Sequence, residues 1–372
     1  MSNLEAHPEE ARCQAGGQPN TEGNRPDPSG PMHEDAVAVE IITHREVPLG
    51  GPRALMVRRT LPQRKRSLIG AWCFADHYGP SDVATTGGMD VAPHPHTGLQ
   101  TVSWLFDGEI AHIDSGGNTG MVRPGEVNLM TSGAGICHSE TSPSHVDPLH
   151  GVQLWVALPD SVRNTAPRAF EHYEPERVAL DGGSTLVFIG SLAGETSPVT
   201  VHTPLLGAEL SVDPGATLTL DVDESFERGL LVDSGEIYLE GTAVPAAAIG
   251  YTGIGAGTLR IHNAATEPAR LILLGGEPFE EEILMWWNFV ARNNEEIQHA
   301  REQWQNRTEL FGTVGGYVGH GGENKNAYGQ SWLPAPKLPN GAIKPRKNPA
   351  PTTREDIPEP GESPVFKMLR RR

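Results

Sequence analysis

The sequence predicts an all-β protein made of two successive β-rich stretches, and three observations carry that prediction. The 372-residue chain holds 43 glycines and 32 prolines, a composition that favours short strands and turns over long helices. Short apolar runs rich in β-branched residues recur, first over residues 37–167 and again over residues 168–280. The turn Phe106-Asp-Gly-Glu-Ile110 returns, loosely, as Asp233-Ser-Gly-Glu-Ile237, as a duplicated unit would.

Each element follows from local pattern. Residues 1–36 are polar and rich in Gly, Pro, Glu and Asn, with too little apolar surface to offset ordering, and are expected to be disordered. The first stretch includes Ile41-Ile-Thr43, Val127-Asn-Leu-Met130, the run from Gly151 to Leu158, and Thr101-Val-Ser-Trp-Leu-Phe106, closed by Asp107-Gly108 as a turn. The second includes Thr185-Leu-Val-Phe-Ile189, Ala216-Thr-Leu-Thr-Leu220, Gly229-Leu-Leu-Val232 and Arg260-Ile-His262. Past Pro278 the period changes: Ile283-Leu-Met-Trp-Trp287 is apolar throughout, and Asn293 or Asn294 caps a predicted helix through Trp304, with Glu296 three residues after Asn293. Residues 281–333 are expected to pack on the β-rich stretches. Residues 334–372 are Pro-rich, carry nine Lys or Arg against four acidic residues, and read as a solvated extension rather than a site for an anionic partner. Deleting 1–36 and 347–372 is expected to leave the fold intact.

His94-Pro-His96 and His138-Ser-Glu140 carry the chemistry. Residues two apart on a strand face the same way, so each pair aims two donors into one space. About forty residues separate the pairs, and a strand, a hairpin turn and a returning strand would bring them together. Three imidazoles and a carboxylate suit one first-row transition ion and leave positions for water or substrate. Taken singly, any of the 15 histidines is more often hydrogen-bonded or solvent-facing than a ligand. The surrounding turn residues, Gly88, Gly120, Pro124-Gly125 and Ser132-Gly-Ala-Gly135, tip the balance towards a metal. Registering the echoed turn places Asp221, Asp223 and Glu227 at the positions of His94, His96 and Gln100. Ala265 falls at the position of His138, so one metal is expected, not two.

Phe74-Ala-Asp76-His77-Tyr78-Gly-Pro80, Pro93-His-Pro-His-Thr-Gly-Leu-Gln-Thr-Val102, the stretch from Gly120 to Glu140, Gly151-Val-Gln-Leu-Trp-Val156, and Leu273-Leu-Gly-Gly-Glu-Pro278 with Met285-Trp-Trp-Asn-Phe-Val290 together resemble the pirin family of the cupin superfamily. The resemblance spans roughly residues 37–345. It implies a bicupin, two jelly-roll β-barrels in one chain, with one ion held by His94, His96, His138 and Glu140 in the N-terminal barrel. Iron is the metal it favours, with Ni, Mn, Cu or Zn accepted by similar sites. Many members carry Glu where this chain has Gln100, but pirins draw their carboxylate from the later position. A strand running unbroken from His94 would turn Gln100 into the barrel with Val102, Trp104 and Phe106, unless Pro95 and Gly98 spoil the register. The family's likeness to quercetin 2,3-dioxygenases implies a flavonol-like substrate and O2, with Glu140 also taking the substrate's hydroxyl proton. Pirins are also linked to protein partners. The second reading is therefore a non-enzymatic, iron-binding redox sensor that binds a transcription factor or metabolic enzyme.

Other classes find little support. A net charge of −18 opposes nonspecific binding to nucleic acid. Three widely spaced cysteines, Cys13, Cys73 and Cys137, fit a reduced compartment, and no basic-then-apolar leader or membrane-length apolar run is present, so a cytoplasmic protein is expected. Gly315-Gly-Tyr-Val-Gly-His-Gly-Gly322 lacks the Gly-Lys-Ser/Thr ending of a phosphate loop. Cys137 is expected to pack in the core, and Asp76-His77 to be either a capped turn or outer support for the metal.

Overall fold

The computed structural model describes residues 38–49, 55–143 and 148–353. The disorder expected of residues 1–36 lies outside them. The chain runs through β1 (Val39–Ile42), β2 (Arg45–Pro48), β3 (Met56–Leu61), β4 (Trp72–Ser81), α1 (Val83–Thr86), β5 (Asp90–His96), β6 (Leu99–Asp107), β7 (Ile110–Asp114), β8 (Thr119–Val122), β9 (Val127–Thr131), β10 (Ile136–Thr141), β11 (Leu149–Ala157) and β12 (Ala169–Tyr173). It continues through β13 (Arg177–Leu180), β14 (Gly183–Ile189), β15 (Ser191–Leu192), β16 (Glu195–Thr196), β17 (Leu205–Val212), β18 (Thr217–Asp221), β19 (Glu227–Ser234), β20 (Ile237–Leu239), β21 (Thr242–Val244), β22 (Ile249–Thr252), β23 (Thr258–Asn263) and β24 (Ala269–Gly276). Last come β25 (Leu284–Trp286), β26 (Phe289–Ala291), α2 (Asn294–Gln305), β27 (Val318–Gly319) and β28 (Gly322–Glu323).

The strands build two like halves. The first pairs a seven-stranded sheet, β12-β9-β6-β11-β4-β3-β2, with a four-stranded one, β5-β10-β7-β8; the second pairs β1-β22-β19-β24-β17-β14-β13 with β18-β23-β20-β21. Position by position the orders match, β6 with β19 and β11 with β24. The echoed turns are equivalent hairpins, β6 to β7 and β19 to β20, each turning at a glycine with positive φ, 91° at Gly108 and 108° at Gly235. The fold is all-β, a bicupin. Leu210, Leu218, Leu220, Leu259, Ile261 and Leu271 fill the second barrel, so apolar side chains occupy the space that the first barrel gives to histidines. Glu227 instead accepts from Gly70 N and Tyr251 Oη, both at 2.6 Å.

Two expectations about strand membership fail. β1, which holds Ile41 and was assigned to the first barrel, pairs with β22 of the second, Ile41 opposite Gly250. β12, which follows residue 168, pairs with β9 of the first, Phe170 opposite Met130. Alternation marks a segment as a strand but not which edge it completes.

The two large sheets pack face to face. Val102, Trp104 and Leu154 of one meet Phe188, Ile272 and Leu274 of the other in a single apolar layer. Trp104 stacks on Phe188 at 4.7 Å and donates from Nε1 to Glu209 Oε2 at 2.8 Å. Of the two placements open to Gln100, the break at Gly98 is the one observed. His96 ends β5 in the small sheet, the chain turns at Gly98 with φ of 68°, and β6 continues in the large sheet. Gln100 Nε2 therefore donates to Thr131 Oγ1 and to the Thr200 carbonyl, both at 2.9 Å, and faces the second barrel with Val102, Trp104 and Phe106.

After β24 the chain returns to the first barrel. Asn293 caps α2 by accepting from Glu296 N at 2.9 Å, and Ile297, Ala300 and Trp304 are the helix's buried face. The segment 334–353 is largely exposed, as its composition suggests, but it is tied to the rest of the molecule at fixed points. Arg346 N donates to Ile283 O at 3.0 Å; Asn348 Oδ1 accepts from Ser67 N and Leu68 N at 2.9 and 3.1 Å, while its Nδ2 donates back to Leu68 O at 3.1 Å. Gly253 N donates to Thr352 Oγ1 at 3.0 Å. Such contacts are made by individual side chains on a fixed path, which composition does not reveal. Asn348→Ala strands two backbone N–H groups and is expected to cost about 1–3 kcal/mol, read as a lower denaturation midpoint at unchanged slope. An unchanged midpoint would return the segment to the status of a loose tail.

Candidate metal centre

β5 and β10 lie side by side and antiparallel although four strands separate them in the chain, so the histidine pairs meet by jelly-roll pairing rather than through one hairpin. His138 stands opposite His94, and Ile136 opposite His96. The register slips between His138 and Glu140, which lies opposite Val91, so a bulge separates Glu140 from the regular ladder.

The donor atoms of His94, His96 and His138 all lie within 4.8 Å of one another, with His96 Nε2 and His138 Nε2 only 3.0 Å apart. All three rings are at most 1% exposed. Burial, aided by the neighbouring imidazoles, pushes each far below the usual histidine range and keeps the rings neutral, as ligands must be. His94 Nδ1 donates to Ala92 O at 3.0 Å, which leaves a lone pair on Nε2, and that atom is buried with no partner. A lone pair left unpaired in a dry interior is costly unless a cation takes it. The residues fit a metal ion.

Glu140 is 2% exposed and stands opposite His112 on β7. Burial raises its carboxyl pKa, and His112 opposes the rise. Its carboxylate lies outside the 4.8 Å group formed by the three imidazoles. Trp155 meets His96 edge-on at 5.2 Å and stacks on Phe74 at 4.1 Å. The C-terminal hairpin closes against the same strand: Val290 N donates to Thr97 O at 3.0 Å, and a Cβ on Gly98 would come 2.3 Å from Val290 O, so only glycine fits there.

His112 and Asp114 escaped the sequence reading. His138 Nδ1 lies 3.2 Å from His112 Nδ1, and His112 Nε2 lies 3.4 Å from Asp114 Oδ2. The i, i+2 spacing of His112-Ile-Asp114 was an available signal, the same one that marked the other two pairs. Asp76 and His77 point to opposite faces of β4. Asp76 is paired with Arg59 at 2.7 and 2.8 Å, while His77 reaches the second barrel. Cys137 is buried, its thiol pKa raised by burial, as core packing predicts.

A second donor group joins the barrels. His77 Nε2 and His150 Nε2 lie 2.8 and 2.6 Å from Asp233 Oδ1. Its surroundings are cationic already: Arg58 Nη2 lies 3.3 Å from His77 Nε2, and Arg270 donates from Nε to Asp233 Oδ2 at 2.8 Å and sets Nη2 3.3 Å from His150 Nδ1. With a guanidinium N–H facing His150 Nδ1, that ring's proton sits on Nε2 and goes to Asp233, so the group is a hydrogen-bonded clamp. Asp233→Ala is expected to cost about 3–5 kcal/mol, as breaking a buried charge pair does. The pH dependence has one sign. Burial depresses His77, and hydrogen bonds from His150, His77 and Arg270 depress Asp233 against the effect of burial; both groups bind protons more readily in the unfolded chain. Stability should therefore fall as the pH drops below about 6.5 through His77, and again below about 3.9 through Asp233. Denaturation midpoints flat between pH 7 and 3 would contradict this.

Two stacked jelly-roll barrels, one holding three convergent buried imidazoles, define a bicupin with a candidate metal centre. The pirin family matches residues 54–156, and the pirin C-terminal cupin domain matches residues 207–309. A Pseudomonas aeruginosa protein whose name assigns it provisionally to the quercetin 2,3-dioxygenases is 42% identical over 274 residues, 73% of this chain and 85% of that protein. Human pirin is 32% identical over 225 residues, 59% of this chain and 77% of the human protein. The crystal structure of quercetin 2,3-dioxygenase from Acinetobacter baumannii superposes with a TM-score of 0.75 at 38% identity, covering 83% of this chain and 98% of that one. The chain belongs to the pirin family. Among the described residues no helix is long and apolar enough to cross a membrane.

Proposed function

We propose that this chain is a metal-dependent dioxygenase that cleaves flavonols, with His94, His96 and His138 as fixed ligands and Glu140 as fourth ligand and proton acceptor. The observation that carries the reading is the triad itself: three neutral, buried imidazoles, one with a lone pair that no protein atom satisfies. A bound transition ion, iron by preference and Ni, Mn, Cu or Zn by the same donor chemistry, would acidify a substrate hydroxyl and provide a centre for O2. The chain supplies the rest. Burial holds the imidazoles neutral, the raised carboxyl pKa of Glu140 makes it a better base than an exposed glutamate, and Trp155, buried and stacked on Phe74, packs edge-on against His96 and fixes its ring. The activity in the names of the Pseudomonas and Acinetobacter relatives agrees with this substrate class.

The second reading, an iron-bearing regulator of a transcription factor or metabolic enzyme, is favoured by burial: none of the four residues is more than 2% exposed, so a change at the ion would be felt through packing. Metal analysis of anaerobically purified protein, followed by a flavonol-consumption assay on the same sample, separates the readings. About one ion per chain with O2-dependent flavonol loss supports the enzyme. Metal without turnover, whichever of Fe, Ni, Mn or Cu is loaded, supports the regulator, and protein that takes up no metal removes both.

A further inference from the structure

We propose that His112 and Asp114 form a positioning relay that fixes the tautomer of His138 and thereby sets how tightly the triad binds its ion; the proposal rests on the metal reading above. His138 Nε2 faces His96 Nε2 at 3.0 Å, and its Nδ1 faces His112 Nδ1 at 3.2 Å. Two imidazole nitrogens at that separation share one proton, so the chain of rings has two directions. In one, His112 donates to His138, which moves the His138 proton to Nε2 and blocks the metal; His112 Nε2 then turns a bare lone pair to the Asp114 carboxylate, which has only lone pairs to offer. In the other, Asp114 Oδ2 accepts from His112 Nε2–H at 3.4 Å, His112 Nδ1 accepts from His138 Nδ1–H, and His138 Nε2 is left free for the ion. The carboxylate selects the second direction, as an acidic residue behind a catalytic histidine selects its tautomer.

The parts of the relay are held independently of the metal. Asp114 Oδ1 accepts from Gly116 N at 2.8 Å and Asn118 N at 3.0 Å, and Asn118 Nδ2 reaches both carboxylate oxygens at 3.2 and 3.1 Å. Phe170 of β12 stacks on the His112 ring at 4.5 Å and 21°. It has room to do so because residue 120, opposite His112 on β8, is glycine: a Cβ there would lie 2.8 Å from the Phe170 ring. His94 differs, because its tautomer is set by a backbone carbonyl that no substitution removes. His138 is the ligand whose lone pair depends on a replaceable side chain.

Asp114→Asn tests this in the full chain. The two backbone donors at Oδ1 keep the amide oxygen in place, so the amide nitrogen falls where Oδ2 stood and donates to His112 Nε2, reversing the relay. Ni(II) affinity, measured by competition with a chelator, should drop about 10- to 100-fold, and the imidazole ¹⁵N shifts of His138 in metal-free protein should switch from the Nδ1–H to the Nε2–H pattern. Asn118→Ala removes two contacts to the same carboxylate without touching His112, and should keep the parent's affinity and tautomer. Parent-like affinity and tautomer in Asp114→Asn would overturn the proposal. So would an equal loss in Asn118→Ala, which would place the effect in turn rigidity. If the parent binds none of Ni(II), Fe(II), Mn(II), Cu(II) or Zn(II), the metal reading fails, and the ¹⁵N shifts still decide the relay: a switch in Asp114→Asn supports it, and identical patterns reject it.

Discussion

Glu140→Gln is expected to lower flavonol turnover per bound ion by about 10²- to 10⁴-fold, the usual value of a general base. The amide nearly matches the carboxylate in shape and keeps a carbonyl oxygen that can face the ion, but it cannot take a proton. Glu140 is suited to the task because burial raises its pKa, which strengthens it as a base relative to an exposed carboxylate. A neutral ligand also binds a divalent ion more weakly, so rates must be compared at equal occupancy. Unchanged turnover per ion would remove Glu140 as the base while leaving the three histidines untouched.

The other large effect belongs to His96→Ala and His138→Ala. Each deletes one of three donors that lie within 4.8 Å of one another. Outer partners of a metal ligand are typically worth about 10- to 100-fold in affinity, so loss of a ligand itself should exceed about 100-fold. The purified variants should carry far less than one ion per chain. A thermal readout gives a second check, because a ligand present at about 100 times its Kd adds roughly 2.7 kcal/mol to the folded state: added metal should raise the parent's Tm and leave the variants where they are. Stoichiometric metal in both variants would dismantle the site.

What was legible in the sequence was whatever repeats over short distances. His94 and His96 declared themselves by strand spacing, the Gly108 and Gly235 turns exposed the duplication, and Glu140, two residues after His138, stands past a bulge with its carboxylate outside the imidazole group. Asn293 and Glu296 marked the helix start. What failed depended on partners far along the chain. The face of Gln100 stayed open in the sequence because β5 and β6 belong to different sheets, and the switch occurs within the single turn at Gly98. His112 was overlooked because its meaning comes from His138, a neighbour across strands rather than along one. The attachments of the largely exposed C-terminal segment, such as Asn348 to Ser67 and Leu68, were not legible because they are single polar side chains set among prolines.

β1 imposes an order on synthesis. It is the first strand of the described chain to leave the ribosome, yet Glu40 pairs with Tyr251, about two hundred residues later. At roughly 5–20 residues per second, β1 waits on the order of 10–40 s for its partner. Until they meet, the second barrel has an open edge at β22, the kind of unpaired strand that captures neighbouring molecules. β1 thus serves as a latch for the second barrel, and residues 168–353 produced alone would display that edge permanently. Supplying a peptide that spans residues 38–44 in trans should reduce the self-association of such a fragment.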